Sequence, residues 1–328
     1  MANIFSFYRK GLHYLKVLLQ LVYQLIRMPV TATYRKRFGL FRNPAVRREL
    51  QLLNPVSDHQ RMVHLLTAYE FPFDITRALE LALFHTYASP RVSGLLAHTG
   101  EFEHHGQKRY DDTGRLIQEF IESGYDSEKG QRAIAHMNLI HSHYRIDNAD
   151  FLFVLGTFVL YPIEWLKHYG WRSLTPSEEL ALFYFFREVG QRMNLIDLPG
   201  SLPDLRAFMD VYETRHFRYT ESNRRIADAT VKIVQGWFPA FLHPLVRPTF
   251  AALINDKLRM AFAYERPPGW FTAIVTGALW VRKWPLRWLT VESYPSIIAK
   301  TRYRHYPAGP PEIEAVGPDQ LMEKTADS

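Results

Sequence analysis

The residues best placed to do chemistry lie between Lys108 and Arg145. Arg109 and Thr113 are four positions apart, so they share one face if this stretch is helical. A guanidinium beside a hydroxyl can bind an anion or donate hydrogen bonds to an oxygen atom that gains negative charge. The same residues also suit a solvated helix start in which Thr113 bonds back to its own helix. The spacing alone leaves both readings open.

A histidine follows about thirty residues later, on a second predicted helix. It belongs to a set of residues repeating at intervals of three, four and three, namely Ile134, Met137, His141 and Tyr144. This is the spacing of a helix stripe that faces a protein core. An imidazole therefore takes a place where leucine is usual. It is either a hydrogen-bonded core residue or a metal ligand, and the pattern does not choose between the two.

These two pairs together resemble the motif of a known enzyme family. Arg109-x-x-x-Thr113 followed by His141-x-x-x-Arg145 is similar to the core motif of the latex-clearing-protein (rubber oxygenase) family and its MpaB-type relatives. The resemblance covers roughly residues 75 to 300. Other segments that carry it are Thr86-Tyr87-Ala88, Thr99-Gly100-Glu101-Phe102, His216-Phe217, Glu221-Ser222-Asn223-Arg224 and Gly236-Trp237-Phe238-Pro239.

The resemblance implies a b-type haem, with O₂ as co-substrate and oxidative cleavage of a carbon–carbon double bond as the reaction. It makes His141 the axial iron ligand, and it makes Arg109, Thr113 and Arg145 residues of the cofactor pocket. His136 and His143 lie close enough in sequence to compete as the ligand. Rubber oxygenases carry a lysine immediately before the threonine, where this chain has Asp112. Rubber itself is therefore not the expected substrate.

Two further groups of residues offer alternative chemistry. Glu101, just ahead of the motif, is a candidate catalytic base, and with nearby histidines it also resembles a loop metal cluster. Glu213-x-x-His216 places a carboxylate and an imidazole on one helix face, which is half of a di-iron signature. That signature needs a second copy and two more glutamates, so a structural pairing is the simpler interpretation. The histidines of the loop group are His98, His104 and His105.

Composition narrows the class of protein. The chain has 328 residues, 47% of them hydrophobic, which is enough for a large core. With no cysteine, it has no disulfide, no thiolate-ligated haem and no Cys-based metal site. The net charge of +7 is spread along the chain without a nucleic-acid-binding signature. We expect a hydrophobic small molecule, and no nucleic acid, as partner.

The pattern of apolar residues predicts an all-α fold. Helical periodicity begins at Pro44 and continues almost throughout, and no alternating run is long enough for a sheet. We expect a single large helical domain over residues 44–307, with a buried haem pocket and globin-like helix packing. Residues 1–43 should form an amphipathic helix and a basic linker. Residues 308–328, rich in Pro and Gly and then acidic, should form a flexible tail.

Two segments have the composition of membrane-surface elements. Residues 4–27 combine an apolar stripe with Lys16 and two glutamines, which suits a helix lying on a bilayer better than a signal peptide. A basic cluster follows, comprising Arg35, Lys36, Arg37, Arg42, Arg47 and Arg48, which suits an anionic leaflet or a solvated loop. The stretch from Pro267 to Leu289 holds four of the seven tryptophans among cations, as interface anchors do. Both segments could instead pack on the body.

The prediction is therefore a haem b-dependent oxygenase for a hydrophobic, isoprenoid-like substrate, located in the cytoplasm with peripheral membrane contact. One alternative is a non-haem iron oxygenase that uses Glu213 and His216. The other is a membrane-associated protein that binds haem or lipid without catalysis.

Overall fold

The computed structural model describes residue 42, residues 44–289 and residues 296–318. Within these ranges the chain forms fifteen α-helices and no β-sheet, which confirms the predicted all-α class. In order they are α1 Pro44–Leu52, α2 His59–Leu65, α3 Pro72–Thr86, α4 Pro90–Thr99, α5 Glu101–His104, α6 Gly106–Glu122, α7 Glu128–Ser142, α8 Asn148–Tyr169, α9 Pro176–Arg192, α10 Leu202–His216, α11 Glu221–Gln235, α12 His243–Leu253, α13 Asp256–Phe262, α14 Gly269–Leu286 and α15 Ile297–Lys300. A π-helical turn, Leu66–Glu70, continues α2, and short 3₁₀ turns span Ala240–Leu242 and Ile313–Ala315.

The helices begin where the sequence supplies caps. Thr175 and Glu178 form a reciprocal capping box at the start of α9, and Pro176 occupies the first turn. Ser201 and Thr220 cap α10 and α11 with their hydroxyl oxygens. Ser89 departs from this pattern because its hydroxyl contacts the hydroxyl of Tyr212, 3.0 Å away, instead of capping α4.

The core surrounds α8. This helix packs against α3, α9 and α10, and Phe153 and Leu166 on it are fully buried. Gly156 allows close approach to α10, because a Cβ there would lie 2.5 Å from the sulfur of Met209. Among the described residues, α8 is the one helix long and apolar enough to cross a membrane, and 61% of that stretch is buried inside the protein. Its position at the centre of the fold makes it a core helix.

The C-terminal segment differs from the predicted flexible tail. Ile313 and Val316 are 3% and 0% exposed and pack against α6 and α7. Arg132 on α7 donates two hydrogen bonds to Glu314, at 2.9 and 2.8 Å. Ile313 and Val316 are the buried large apolar residues of the described part of this segment, and polar contacts provide the rest of its attachment. Two apolar residues are too few to give the sequence a helical apolar repeat. Residues 308–318 therefore belong to the folded body, whereas residues 319–328 lie outside the described residues.

The predicted N-terminal helix and Arg35, Lys36 and Arg37 also lie outside the described residues. Arg42 is not part of a solvated basic loop. Its guanidinium lies 4.0 Å from the ring centre of Trp171 and donates to the carbonyls of Leu286 at 2.5 Å and Glu70 at 3.1 Å. Arg47 and Arg48 are exposed on α1.

Candidate active site

A cavity of about 690 Å³ lies between the central helices and the C-terminal segment. Its walls come mainly from α3, α4, α6, α7, α8 and α11, and most lining side chains are apolar. All five predicted site residues line it, namely Glu101, Arg109, Thr113, His141 and Arg145. The fold thus brings residues from three helices and one loop to a single space. The volume lies within the range of small-molecule and cofactor sites.

Helix α6 holds Arg109 and Thr113 in place by burying charged residues that contact the C-terminal segment. Asp112 is 2% exposed and accepts hydrogen bonds from Lys108 at 2.9 Å, the Tyr306 hydroxyl at 2.6 Å and the Gly317 amide at 3.0 Å. Asp112, at the position that is lysine in rubber oxygenases, therefore holds the C-terminal segment against α6 in this chain.

Arg109 and Thr113 are half-buried, and no described residue forms a hydrogen bond or ion pair with either side chain. Thr113 does not bond back to its own helix, unlike Thr230, whose hydroxyl donates to the carbonyl of Ile226 at 3.0 Å. Polar groups in an apolar cavity need partners. The guanidinium and the hydroxyl therefore remain available to a molecule that enters the cavity.

His141 occupies the wall contributed by α7, in line with the predicted stripe. Its ring meets Phe151 edge to face at 5.1 Å, and its Nδ1 atom is buried without a hydrogen-bond partner among the described residues. Burial and then the charge of Arg109 lower the pKa of His141 to about 4. The imidazole is therefore neutral at pH 7, so one of its nitrogens carries a free lone pair.

The two competing histidines are placed differently. His136 is buried, and its Nε2 donates to the carbonyl of Val316 at 2.7 Å, which attaches the C-terminal segment to α7. His143 is exposed, and its Nδ1 bonds to the carbonyl of Leu139 at 2.8 Å. Neither ring lines the cavity.

Glu101 and Arg145 lie towards the edge of the same space. Glu101 begins α5 and is half-buried, whereas Arg145 follows α7 and is exposed. Neither forms a hydrogen bond or ion pair with another described side chain. Within the described ranges, no three His, Asp or Glu side chains are grouped so that they could hold a metal ion. The loop histidines near Glu101 are therefore not assembled into a metal centre.

Glu213 and His216 do not converge on a common point. Glu213 accepts a hydrogen bond from Nε2 of His85 at 2.9 Å and is contacted by Lys257 at 3.3 Å. His216 instead stacks on Tyr212 at 4.5 Å. The carboxylate is thus already paired, in agreement with the structural interpretation of this motif.

Sequence reasoning missed two polar groups near the site. The first is the buried chain Tyr161–His85–Glu213, in which the Tyr161 hydroxyl lies 2.6 Å from Nδ1 of His85. The second is a cluster on the cavity wall in which Glu80 pairs with Arg77 at 2.6 Å and accepts a short hydrogen bond from Tyr110. Burial raises the pKa of Glu80. No local sequence pattern marks either group, because each joins residues from different helices. Arg77 and Glu80, which share α3, look like an ordinary surface pair in the sequence.

Comparison with known proteins identifies the family. The model described as "ER-bound oxygenase mpaB/B'/Rubber oxygenase, catalytic domain" matches residues 75–298, more than half of the chain. The chain belongs to this family. The match confirms the resemblance predicted from the Arg109–Thr113 and His141–Arg145 motifs.

Individual relatives carry related names. One is the ER-bound oxygenase mpaB' of Penicillium brevicompactum, 31% identical over 240 residues, which are 67% of this chain and 56% of the relative. Another is the ER-bound oxygenase mpaB of Penicillium roqueforti (strain FM164), 29% identical over 213 residues, which are 60% of this chain and 72% of the relative. The chain therefore spans less than two thirds of the first relative's length.

Proposed function

We propose that this protein is a haem b-dependent oxygenase acting on a hydrophobic substrate, and that His141 would hold the haem iron. The observation that carries the proposal is the neutral imidazole of His141 on the wall of an apolar cavity that also receives Arg109 and Thr113. Membership of an oxygenase family supports the reaction class, and the residues present support the cofactor.

The donor set fits a haem on three grounds. A haem ligand must be unprotonated at the bonding nitrogen, and a pKa of about 4 meets that condition at neutral pH. The buried Nδ1 of His141 has no hydrogen-bond partner among the described residues, so it is an unsatisfied polar atom open to a ligand, and the ring packs against Phe151. The cavity of about 690 Å³ is large and mainly apolar. When bound, the haem would supply the redox-active iron that activates O₂.

The other polar residues have distinct tasks in this proposal. Arg109 is permanently charged, so it can pair with a carboxylate of the cofactor or stabilise negative charge that develops on oxygen. Thr113 can donate a hydrogen bond in the same region. Arg145, exposed at the edge of the cavity, suits a second carboxylate. Glu101 can accept a proton from the substrate or from water.

The apolar lining defines the substrate class. Apolar side chains such as Leu95, Phe158 and Val234 line the same cavity as His141. An isoprenoid-like chain with an oxidisable double bond would gain free energy by leaving water for this lining. We propose that the substrate is not rubber, because Asp112 is engaged in holding the C-terminal segment.

We also propose that the protein works at a membrane surface on the cytoplasmic side. Its relatives are named ER-bound oxygenases, and a lipophilic substrate would be dissolved in the bilayer.

The absorption spectrum of the purified protein, with iron quantified, tests the cofactor proposal. We expect a Soret band and one iron per chain. Iron without a Soret band would overturn it in favour of a non-haem oxygenase. A haem spectrum that CO and O₂ leave unchanged would indicate a binding protein without oxygenase activity.

A further inference from the structure

Helix α14 is apolar, yet it buries none of its eighteen residues. Trp280, 52% exposed, lies to one side of the main apolar stripe of this helix. Five further exposed apolar side chains form that stripe, because their spacing of four, seven, three and four follows the helical repeat. They are Trp270, Ile274, Val281, Trp284 and, just past the helix end, Trp288, with exposed fractions of 67%, 61%, 59%, 58% and 67%. A continuous apolar stripe of this length in water is a binding surface.

The attachment of α14 to the body combines the packing of Leu279 on the main core with a polar contact. Arg282 points inward and forms an ion pair with Asp74, which is 2% exposed and also accepts a hydrogen bond from Trp165 at 2.9 Å. The Arg282 guanidinium further lies 4.4 Å from the ring centre of Phe73. A helix on a water-facing surface normally directs cations outward and aromatic residues inward. In α14 the large aromatic residues face outward and Arg282 faces inward, so its outer face suits an apolar environment.

A neighbouring element adds to this surface. Helix α12 packs against α14, and at its start and in the preceding turn are Phe238, Phe241 and Leu245, with exposed fractions of 47%, 77% and 47%. These large apolar side chains extend the apolar surface beyond α14 itself.

We propose that α14 and the start of α12 lie on an anionic phospholipid bilayer, with the tryptophan stripe in the interface. Tryptophan is enriched at the headgroup level of membranes, and Lys283 and the exposed Arg287 can meet lipid phosphates. Arg282, Lys283 and Pro285 make α14 too polar to cross the bilayer, whereas they suit a helix that lies flat. This inference rests on the proposed membrane location and adds the face that makes contact.

The beginning of the described chain supports the choice of a membrane over a protein partner. The Arg42 amide donates to the carbonyl of Trp288 at 3.2 Å, and its side chain donates to the carbonyl of Leu286 at 2.5 Å. Arg42, the first described residue, therefore lies beside the end of the tryptophan stripe. The sequence that precedes Arg42 combines an apolar stripe with basic residues, a composition that also suits a membrane surface.

Two residues beside the proposed contact face line the cavity. Phe73, on which Arg282 stacks, and Phe250 of α12 both contribute to the cavity lining. A lipophilic molecule moving from the bilayer past α12 and α14 would meet the cavity wall directly. The surface thus gives a hydrophobic substrate a short route that avoids water.

The test measures binding of the full chain to vesicles of phosphatidylcholine and phosphatidylserine. We expect the double variant Ile274→Glu/Val281→Glu to lower the partition coefficient about ten-fold or more, because carboxylates are poorly accommodated at an anionic apolar interface. The double variant should fold normally, since both positions are exposed. Leu52→Glu is the matched control, because Leu52 is 86% exposed on α1 outside the proposed face.

Quenching of tryptophan fluorescence by brominated lipids tests whether the α14 face touches the bilayer. Sedimentation with vesicles tests only whether the protein binds a membrane at all. Quenching of the wild type, weakened in Trp270→Ser/Trp284→Ser because Trp280 and Trp288 remain, is the expected result. If the protein sediments with vesicles but shows no quenching, the location holds and the α14 face is wrong. If it does not sediment, both fail. A wild-type dimer that Ile274→Glu/Val281→Glu converts to a monomer would overturn the inference in favour of a second copy on this face.

Discussion

Arg109 on α6 and His141 on α7 line the same cavity, and the charge of Arg109 adds to burial in lowering the pKa of His141 to about 4. The guanidinium therefore favours the neutral imidazole that a metal ligand requires. Arg109 belongs to the first half of the family motif and His141 to the second, so this electrostatic interaction couples the two halves.

Replacing His141 should remove the cofactor. We expect His141→Ala to purify without haem, or with a weakly bound and spectrally altered one, because the cavity wall would lose its neutral nitrogen donor. His143→Ala is the control, since His143 is exposed and outside the cavity. His136→Ala should keep its haem while losing about 1 kcal/mol of unfolding free energy, from the hydrogen bond to Val316. A full, unshifted Soret band in His141→Ala would show that another group is the ligand.

The protonation of His141 should be visible in the protein without haem. Its pKa of about 4 lies below the ordinary value, so between about pH 6.5 and 4 the unfolded chain takes up a proton that the folded chain does not. This residue therefore costs the fold stability as the pH falls through that window. In Arg109→Ala the repulsive charge is gone, and the pKa should rise. Titration of the imidazole by NMR measures both values, and an unchanged pKa in Arg109→Ala would rule out the coupling.

Arg109 and Thr113 should affect turnover in different ways. Arg109→Ala should lower both haem occupancy and turnover, because a charge-assisted hydrogen bond of about 1.5–3 kcal/mol is lost. Thr113→Val should lower turnover while leaving occupancy near normal, since it removes one neutral hydroxyl and keeps the side-chain volume. Arg48→Ala, at an exposed position on α1, is the control. Normal activity in both cavity variants would mean that neither side chain meets the substrate or cofactor.

Asp112 should be needed for stability. Asp112→Asn keeps the shape but weakens the hydrogen bonds to Lys108, Tyr306 and Gly317, so unfolding in urea should show a loss of about 1–3 kcal/mol. Asp210→Asn, exposed on α10, should change little. Equal stability of the two variants would contradict the anchoring of the C-terminal segment by Asp112.

Local spacing in the sequence predicts the helices and the helix faces on which Arg109, Thr113 and His141 lie. The resemblance to the oxygenase family then selects these residues as site residues. The stripe from Ile134 to Tyr144 sets the orientation of His141, and four-residue spacing places Arg109 beside Thr113. The contacts of Asp112 could not be predicted in the same way, because Gly317 lies far along the chain and contributes only a backbone amide.

A segment that polar contacts hold in place is harder to predict from sequence than a helix that buries a periodic apolar face. Residues 313–317 have the composition of a tail, yet buried charges on α6 and polar contacts from Arg132 and His136 on α7 fix them. For α14, the composition indicated an interface helix. The inward direction of Arg282 follows only from its tertiary pairing with Asp74. The chain Tyr161–His85–Glu213 likewise joins three separate helices.

The wall formed by the C-terminal segment has a consequence for biosynthesis. Tyr303 and Gly317 line the cavity whose other walls are made from residues 67–250. During translation the earlier walls leave the ribosome first, and the space stays open on one side until residue 317 has emerged. A nascent chain that stops before residue 317 lacks this part of the cavity wall. We therefore expect only chains extended past residue 317 to retain a molecule bound in the cavity.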